Sequence, residues 1–363
     1  MAGLTIREAY VEASSFLEAH QVRDAASCAE LLLQHVLGCS RSELLLRWRE
    51  LFSVEQLELL RQLLARKAAG EPVQYITGEQ EFYGLPFKVT PAVLIPRPET
   101  ELLVEQIVLI GRLLWPEGRS AEGGGAAAVR SLAARAAEPE GRSADGITGG
   151  DAAAEGVQAA QLEARSAEGV LDRGKGASAA AGDWGRTASA PLIADIGAGS
   201  GAIAVSLAVQ CPSWRIMSSD ISPAALAVAA ANAERHGVGG QVAFLEGDLL
   251  APYIERGLRL DAVVSNPPYI PEADEAGLQP EVRLHEPRTA LYGGADGLDL
   301  YRRLAVQLKE LPALPSLVGL EVGYGQADEV AKLLREAADW DEVRIVPDLA
   351  GIDRHVIGIR YPG

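Results

Sequence analysis

The feature that most constrains this chain is the rhythm of its second half, where short apolar runs alternate with alanine- and leucine-rich segments. PLIADIG reads as a strand buried on both faces and AIAVSLAVQC as the helix after it; WRIMSSD and PAALAVAAANAERHG repeat the unit. QVAFLEGD and LDAVVSNPPY read as two more strands, LVGLEVGY and QADEVAKLLREAA as another strand and helix, and EVRIVPD and RHVIGIR as a closing pair. Such alternation predicts an α/β fold with a doubly wound, mostly parallel sheet and helices on both faces. The short turn at Leu349-Ala350-Gly351-Ile352 joins the closing pair as a hairpin, so the last strand is expected to be antiparallel.

The first half is built differently. Residues 1–70 carry Leu31, Leu32, Leu33, Val36 and Leu37, then Leu57, Leu60, Leu63 and Leu64, near the helical period, with Ser40 and Ser53 suited to N-caps. A small helical bundle is expected there. Residues 71–101 interleave aromatic and β-branched residues with Gly and Pro and read as a two-stranded hairpin linker. Pro96 and Pro98 fix the backbone around Arg97, and Glu99-Thr100-Glu101 opens a helix that continues over 102–116 as the first helix of the catalytic domain. From 117 to 190 the composition collapses to about half Ala and Gly, and the pentapeptide RSAEG occurs twice. Such a tract cannot offset its ordering entropy by burial, so a disordered insert without a catalytic role is expected. The remainder, 191–363, is the expected cofactor-binding domain.

Charge and cysteine usage narrow the function classes. Fifty acidic against 33 basic side chains leave a net charge of −17, and a phosphate backbone would be repelled by the average surface. A general nucleic-acid coat is disfavoured. Cys28, Cys39 and Cys211 lack metal-ligand spacing and read as reduced thiols. Charged Arg7 and Glu8 interrupt the N-terminal residues, and no long apolar run occurs, so a cytoplasmic protein without a membrane span is expected.

Two constellations carry chemistry. Asp195-Ile196-Gly197-Ala198-Gly199-Ser200-Gly201 lies where the first parallel strand turns into its helix, the crevice where open α/β sheets bind ligands. Its spacing is neither that of a triphosphate loop nor that of a dinucleotide fingerprint, which favours a ligand without phosphates. Asp220, at the end of the second strand, can accept both ribose hydroxyls of a nucleoside, and Asp248 with Leu249, at the end of the third, suits the adenine amino group and ring. The second constellation is Asn266-Pro267-Pro268-Tyr269 at the end of the fourth strand. Two prolines hold a rigid elbow in which the Asn266 side-chain oxygen and the Pro267 carbonyl can accept from one planar NH2 group, with the Tyr269 ring against its plane. Such a grip suits methylation of a poorly nucleophilic nitrogen, for which positioning can supply on the order of 7–11 kcal/mol.

Together these residues resemble class I S-adenosylmethionine-dependent methyltransferases of the amino-methylating kind. Leu94 to Glu101 (LIPRPETE), Gly78 to Gly84 (GEQEFYG), and Glu286-Pro287 followed by Gly293 to Leu298 (GGADGL) are similar to the HemK-like release-factor glutamine methyltransferases. The resemblance implies S-adenosyl-L-methionine as cofactor, with its loop on Gly197, Ala198, Gly199, Ser200 and Gly201, its ribose carboxylate on Asp220 and its adenine side on Asp248 and Leu249. It implies a catalytic, amide-binding tetrapeptide at Asn266, Pro267, Pro268 and Tyr269, with Asn266 also on the cofactor side. The implied substrate is the glutamine of the Gly-Gly-Gln motif in peptide-chain release factors, gripped in part by the helical bundle. Arg97 and Glu99 fall near the methionine end of the cofactor, against the plainer reading of an ion pair at the helix start. The link from the helix after Glu101 to Asp195 is longer than the family pattern.

Direct displacement at the sulfonium methyl is the expected reaction. The five histidines show no partner pattern that marks a base. A rival reading is methylation of the exocyclic amino group of adenine in DNA or RNA, which would fit the same elbow; the acidic charge and the lack of a basic recognition segment weigh against it. A silent binding module that only holds a translation factor is weighed against by the intact Asn266 and Gly197–Gly201. A monomer without direct nucleic-acid binding is expected.

Overall fold

Three helices of the N-terminal bundle begin with caps written in their own sequence. Thr5, Ser40 and Ser53 each accept from a backbone N–H three residues on, and Glu8, Glu43 and Gln56 reach back to the cap. The computed structural model describes residues 4–116 and 190–362, so the insert expected at 117–190 lies, but for Ala190, outside the described residues. Helices Ile6–Ala19, Ala25–Leu37, Arg41–Leu46 and Val54–Ala68 bury Leu17, Leu33, Leu44 and Leu64 in one shared core.

The linker holds more than the expected hairpin. A short helix, Val73–Thr77, precedes it, buries Val73, Tyr75 and Ile76, and stops at Gly78 in the left-handed region (φ 79°). Strands β1 (Glu79–Phe82) and β2 (Leu85–Lys88) then pair antiparallel around Tyr83-Gly84. Both turn residues have positive φ, which matches the twist of a two-residue hairpin. The next helix, Pro98–Leu114, starts on its proline, one residue before the expected Glu99.

The main sheet has seven strands: β3 (Leu192–Ile196), β4 (Arg215–Asp220), β5 (Val242–Glu246), β6 (Ala262–Ser265), β7 (Leu317–Glu321), β8 (Glu342–Pro347) and β9 (Asp353–Ile359). Their order is β5-β4-β3-β6-β7-β9-β8. The first five are parallel; β9 runs antiparallel between β7 and β8, as the hairpin reading requires. Side chains alternate between two cores. Ile193, Val264, Leu317 and Ile357 pack with Leu103 and Ile107 of helix Pro98–Leu114, whereas Ala194, Ile196, Val263 and Val318 pack with Tyr301 and Leu304 of helix Asp299–Leu308 and Val330 of helix Ala327–Ala337. The chain winds outward from β3 to β5 on one side and from β6 to β7 on the other. The carboxyl ends of β3 and β6 therefore border a crevice.

The long connection after β6 also carries structure. A 3₁₀ turn at Glu272–Gly277 and a short helix, Pro280–His285, lead back to Tyr292, which bridges Ile270. Lys67 of the bundle, almost fully buried, pairs with Glu281 at 2.6 Å and so ties this segment to the N-terminal helices. Among the described residues, no helix is long and apolar enough to cross a membrane.

Candidate active site

A cavity of about 360 Å³ opens at the carboxyl ends of β3, β4 and β6. Its floor is the loop after β3. Gly197, Gly199 and Gly201 all have positive φ (81°, 51° and 80°), and a Cβ on Gly201 would stand 3.1 Å from the Ala229 backbone. The Gly197 and Ala198 amides donate to the Ser219 carbonyl at 2.8 Å, which lashes the loop to β4. Gly197 to Ser200 line the cavity, and Gly201 begins helix Ala202–Gln210 beneath it.

Asp220 stands on the neighbouring wall. Its two carboxylate oxygens accept from the Gly199 and Ser222 amides, both at 2.9 Å. The side chain is thus held rigid while lone pairs remain for a diol, since a carboxylate offers about four acceptor sites. Asp248 and Leu249 lie on the same cavity. Leu249 is buried with φ 52°, a conformation that costs a non-glycine residue about 1–3 kcal/mol and persists only where surroundings enforce it. Asp248 is ion-paired with Arg303 across the mouth.

The structure separates the four elbow residues. Asn266 and Pro268 line the cavity. Pro267 is buried, and Tyr269 is half-buried against the core beneath the sheet, its ring close to Gly323. The elbow is braced from behind. Gln326 donates from Nε2 to the Tyr269 carbonyl at 2.9 Å and accepts from the Gly323 amide at 2.9 Å. Gly293 and Gly297 let a second loop close on it, for their missing Cβ atoms would sit 2.5 Å from the Pro268 carbonyl and 2.2 Å from the Tyr269 carbonyl. Gly297→Ala is therefore expected to lower the melting temperature and to cut turnover by about 10-fold or more, because a displacement near 1 Å can cost about 100-fold. Thermal denaturation and initial rates on the same preparation check this.

Arg97 also reaches the cavity, but its partner is not Glu99. The guanidinium meets Glu286 at 2.5 Å, and the second Glu286 oxygen accepts from the Ile95 amide at 3.2 Å. Glu286 is 5% exposed. It joins the proline-rich loop to the segment carrying Pro287 and Tyr292, which line the opposite wall. Glu99 instead contributes its carbonyl, which faces Nε2 of buried His355 at 3.1 Å.

Two sequence families match this chain: the PrmC N-terminal domain over residues 8–78 and the methyltransferase small domain over residues 186–280. Full-length relatives extend the likeness. The release factor glutamine methyltransferase of Moorella thermoacetica is 37% identical over 357 residues, covering 98% of this chain and 99% of that one. Its counterpart in Bacillus anthracis is 35% identical, covering 97% and 98%, and that of Bacillus subtilis is 33% identical, covering 98% of each. The chain belongs to the release factor glutamine methyltransferase family. It is a methyltransferase with the α/β architecture expected of one.

Two groups of this methyltransferase's site region, Thr100 and Glu321, were given no role by the sequence reading, and Asp195 was named there only as the start of the glycine loop. Thr100 lines the cavity and is buried, Glu321 ends β7 at 1% exposure, and Asp195, the last residue but one of β3, is fully buried. Burial pushes the Asp195 carboxyl up to about 7, against the hydrogen bond from the Ser218 hydroxyl at 2.7 Å. A carboxyl raised on folding contributes its full stability below its unfolded value of 3.8 and loses it as pH rises through about 7. Asp195→Asn removes that loss. Its melting temperature relative to the parent protein is expected to climb as pH rises across this window, which a thermal-shift series measures.

Proposed function

We propose that this methyltransferase transfers the methyl group of S-adenosyl-L-methionine to the side-chain amide nitrogen of the glutamine in the Gly-Gly-Gln motif of peptide-chain release factors. The observation that carries the reading is one cavity wall shared by a nucleoside-type cradle and Asn266. The glycine loop and Asp220 fit the nucleoside, with Asp220 taking the ribose hydroxyls and Leu249 covering the adenine ring. Arg303 holds Asp248, so an adenine amino group there must share the carboxylate with the guanidinium.

When bound, S-adenosyl-L-methionine supplies an electrophilic methyl on a sulfonium. The protein's part is to present the nitrogen. An amide nitrogen is weakly nucleophilic because its lone pair is delocalised into the carbonyl. Asn266 Oδ1 and the Pro267 carbonyl, which accept no hydrogen bond from the described residues, are assigned the two N–H groups, and that pairing would fix the amide plane. The proton leaves once the nitrogen has gained its methyl and become strongly acidic, so no side chain needs to remove it first. The helical bundle at 1–70, which includes most of the stretch matching the PrmC N-terminal domain, is assigned to gripping the release factor.

Labelled cofactor offered with purified release factor, duplex DNA and ribosomal RNA tests the substrate class. Label on the release factor, lost when its Gly-Gly-Gln glutamine is replaced, is the expected outcome. Label on either nucleic acid alone would reject it in favour of adenine methylation.

A further inference from the structure

Two buried side chains that the proposed transfer does not use stand behind Asn266. Asn266 Nδ2 donates to Thr100 Oγ1 at 3.0 Å, and the Thr100 hydroxyl donates to Glu321 Oε2 at 2.6 Å. Thr100 is 4% exposed and Glu321 1%. A threonine hydroxyl carries one hydrogen. With that hydrogen given to the carboxylate, the hydroxyl meets Asn266 only as an acceptor. The NH2 end of the carboxamide must then turn inward, and the oxygen outward.

We propose that Thr100 and Glu321 are positioning residues which lock the Asn266 carboxamide in the one orientation that can accept a hydrogen bond from a substrate amide. The inference deepens the proposed function and rests on it for the role of Asn266. A carboxamide is nearly isosteric about its Cβ–Cγ bond, so nothing in its shape prevents a flip. Flipped, Asn266 would set its own NH2 against the substrate's NH2, donor against donor. The direction of the buried chain decides between the two orientations.

The direction depends on Glu321 being ionised. Around it stand Arg354 and His355 on β9, Glu99 at the start of helix Pro98–Leu114, the Asn266 side chain, Tyr269 of the elbow and Tyr301 of helix Asp299–Leu308. Burial raises the Glu321 carboxyl to about 7, with the Thr100 hydrogen bond and the Arg354 charge pulling the other way. Once protonated, Glu321 can donate to Thr100. The hydroxyl is then free to donate to Asn266 Oδ1, and the flipped carboxamide becomes as favourable as the working one.

Steady-state kinetics of the full-length enzyme on a release factor, with S-adenosylhomocysteine affinity measured by calorimetry, tests the chain. Thr100→Val is expected to lower kcat by at least about 10-fold, with KM for the release factor little changed, and Thr100→Ser to restore most of the loss. The parent enzyme should lose kcat as pH falls through about 7; Glu321→Gln, which has no proton to take up, should lack that acid limb. If Thr100→Val is too unstable to assay, the Glu321→Gln pH profile decides. A parental kcat in Thr100→Val, or an unchanged acid limb in Glu321→Gln, overturns the inference, while an inactive Asn266→Ala alongside leaves the proposed function standing. Normal turnover by Asn266→Ala removes both.

Discussion

Asn266→Ala is expected to reduce methyl transfer to a release factor by at least about 100-fold, the scale of losing one oxyanion-hole donor, while S-adenosylhomocysteine still binds. The asymmetry follows from where the residue stands. Asn266 lies at the end of β6, whereas the glycine loop and Asp220 belong to β3 and β4. Truncating it removes one of the two acceptors assigned to the substrate NH2 and leaves the nucleoside cradle untouched. A matched loss of cofactor affinity would mean that Asn266 serves the cofactor rather than the amide. Single-turnover rates beside calorimetric Kd values separate the two.

Asp220→Ala is expected to act in the opposite sense, through the cofactor. The Asp220 carboxylate holds the Gly199 and Ser222 amides and is assigned both ribose hydroxyls. Hydrogen bonds to a charged group contribute about 1.5–3 kcal/mol each. Loss of the ribose pair alone should raise Kd for S-adenosylhomocysteine by about 100-fold or more, since each 1.4 kcal/mol is tenfold. The loop should also loosen, because two backbone donors lose their acceptor. Turnover at saturating cofactor should fall far less than affinity. Parental affinity in Asp220→Ala would remove the residue from the cofactor site.

The fold was legible because its strands are short, apolar and separated by helices of the right period. The mostly parallel, doubly wound character of the sheet followed from that alternation, and the antiparallel last strand followed from a short turn; the strand order itself came only from the structure. Short helices were harder to read. Val73–Thr77 lies in a Gly/Pro-rich stretch whose aromatic and β-branched residues favour strand, and tertiary packing of Tyr75 and Ile76 overrides the preference. Helix Asp299–Leu308 did leave a trace, since Tyr301, Leu304 and Leu308 are buried at helical spacing.

The site was legible where chemistry needs contiguous residues. Gly197–Gly201 and Asn266–Tyr269 are each one turn of chain, and the cavity gathers Gly197 to Ser200 of the first and Asn266 and Pro268 of the second. Thr100, Glu321 and Glu286 were not, because each acts across the fold on a residue more than a hundred positions away. Glu321 carried a signal nonetheless: an acid inside the apolar run LVGLEVGY must find a partner or stay protonated. Pairing Arg97 with its near neighbour Glu99 was the local solution, and the buried Glu286 outcompetes it.

A crystal structure of the enzyme holding S-adenosylhomocysteine and a release factor measures the central geometry directly. The substrate glutamine nitrogen should lie about 2.7–3.2 Å from both Asn266 Oδ1 and the Pro267 carbonyl, facing the sulfur. A glutamine side chain seated elsewhere, or a cofactor bound away from the end of β6, would contradict the account.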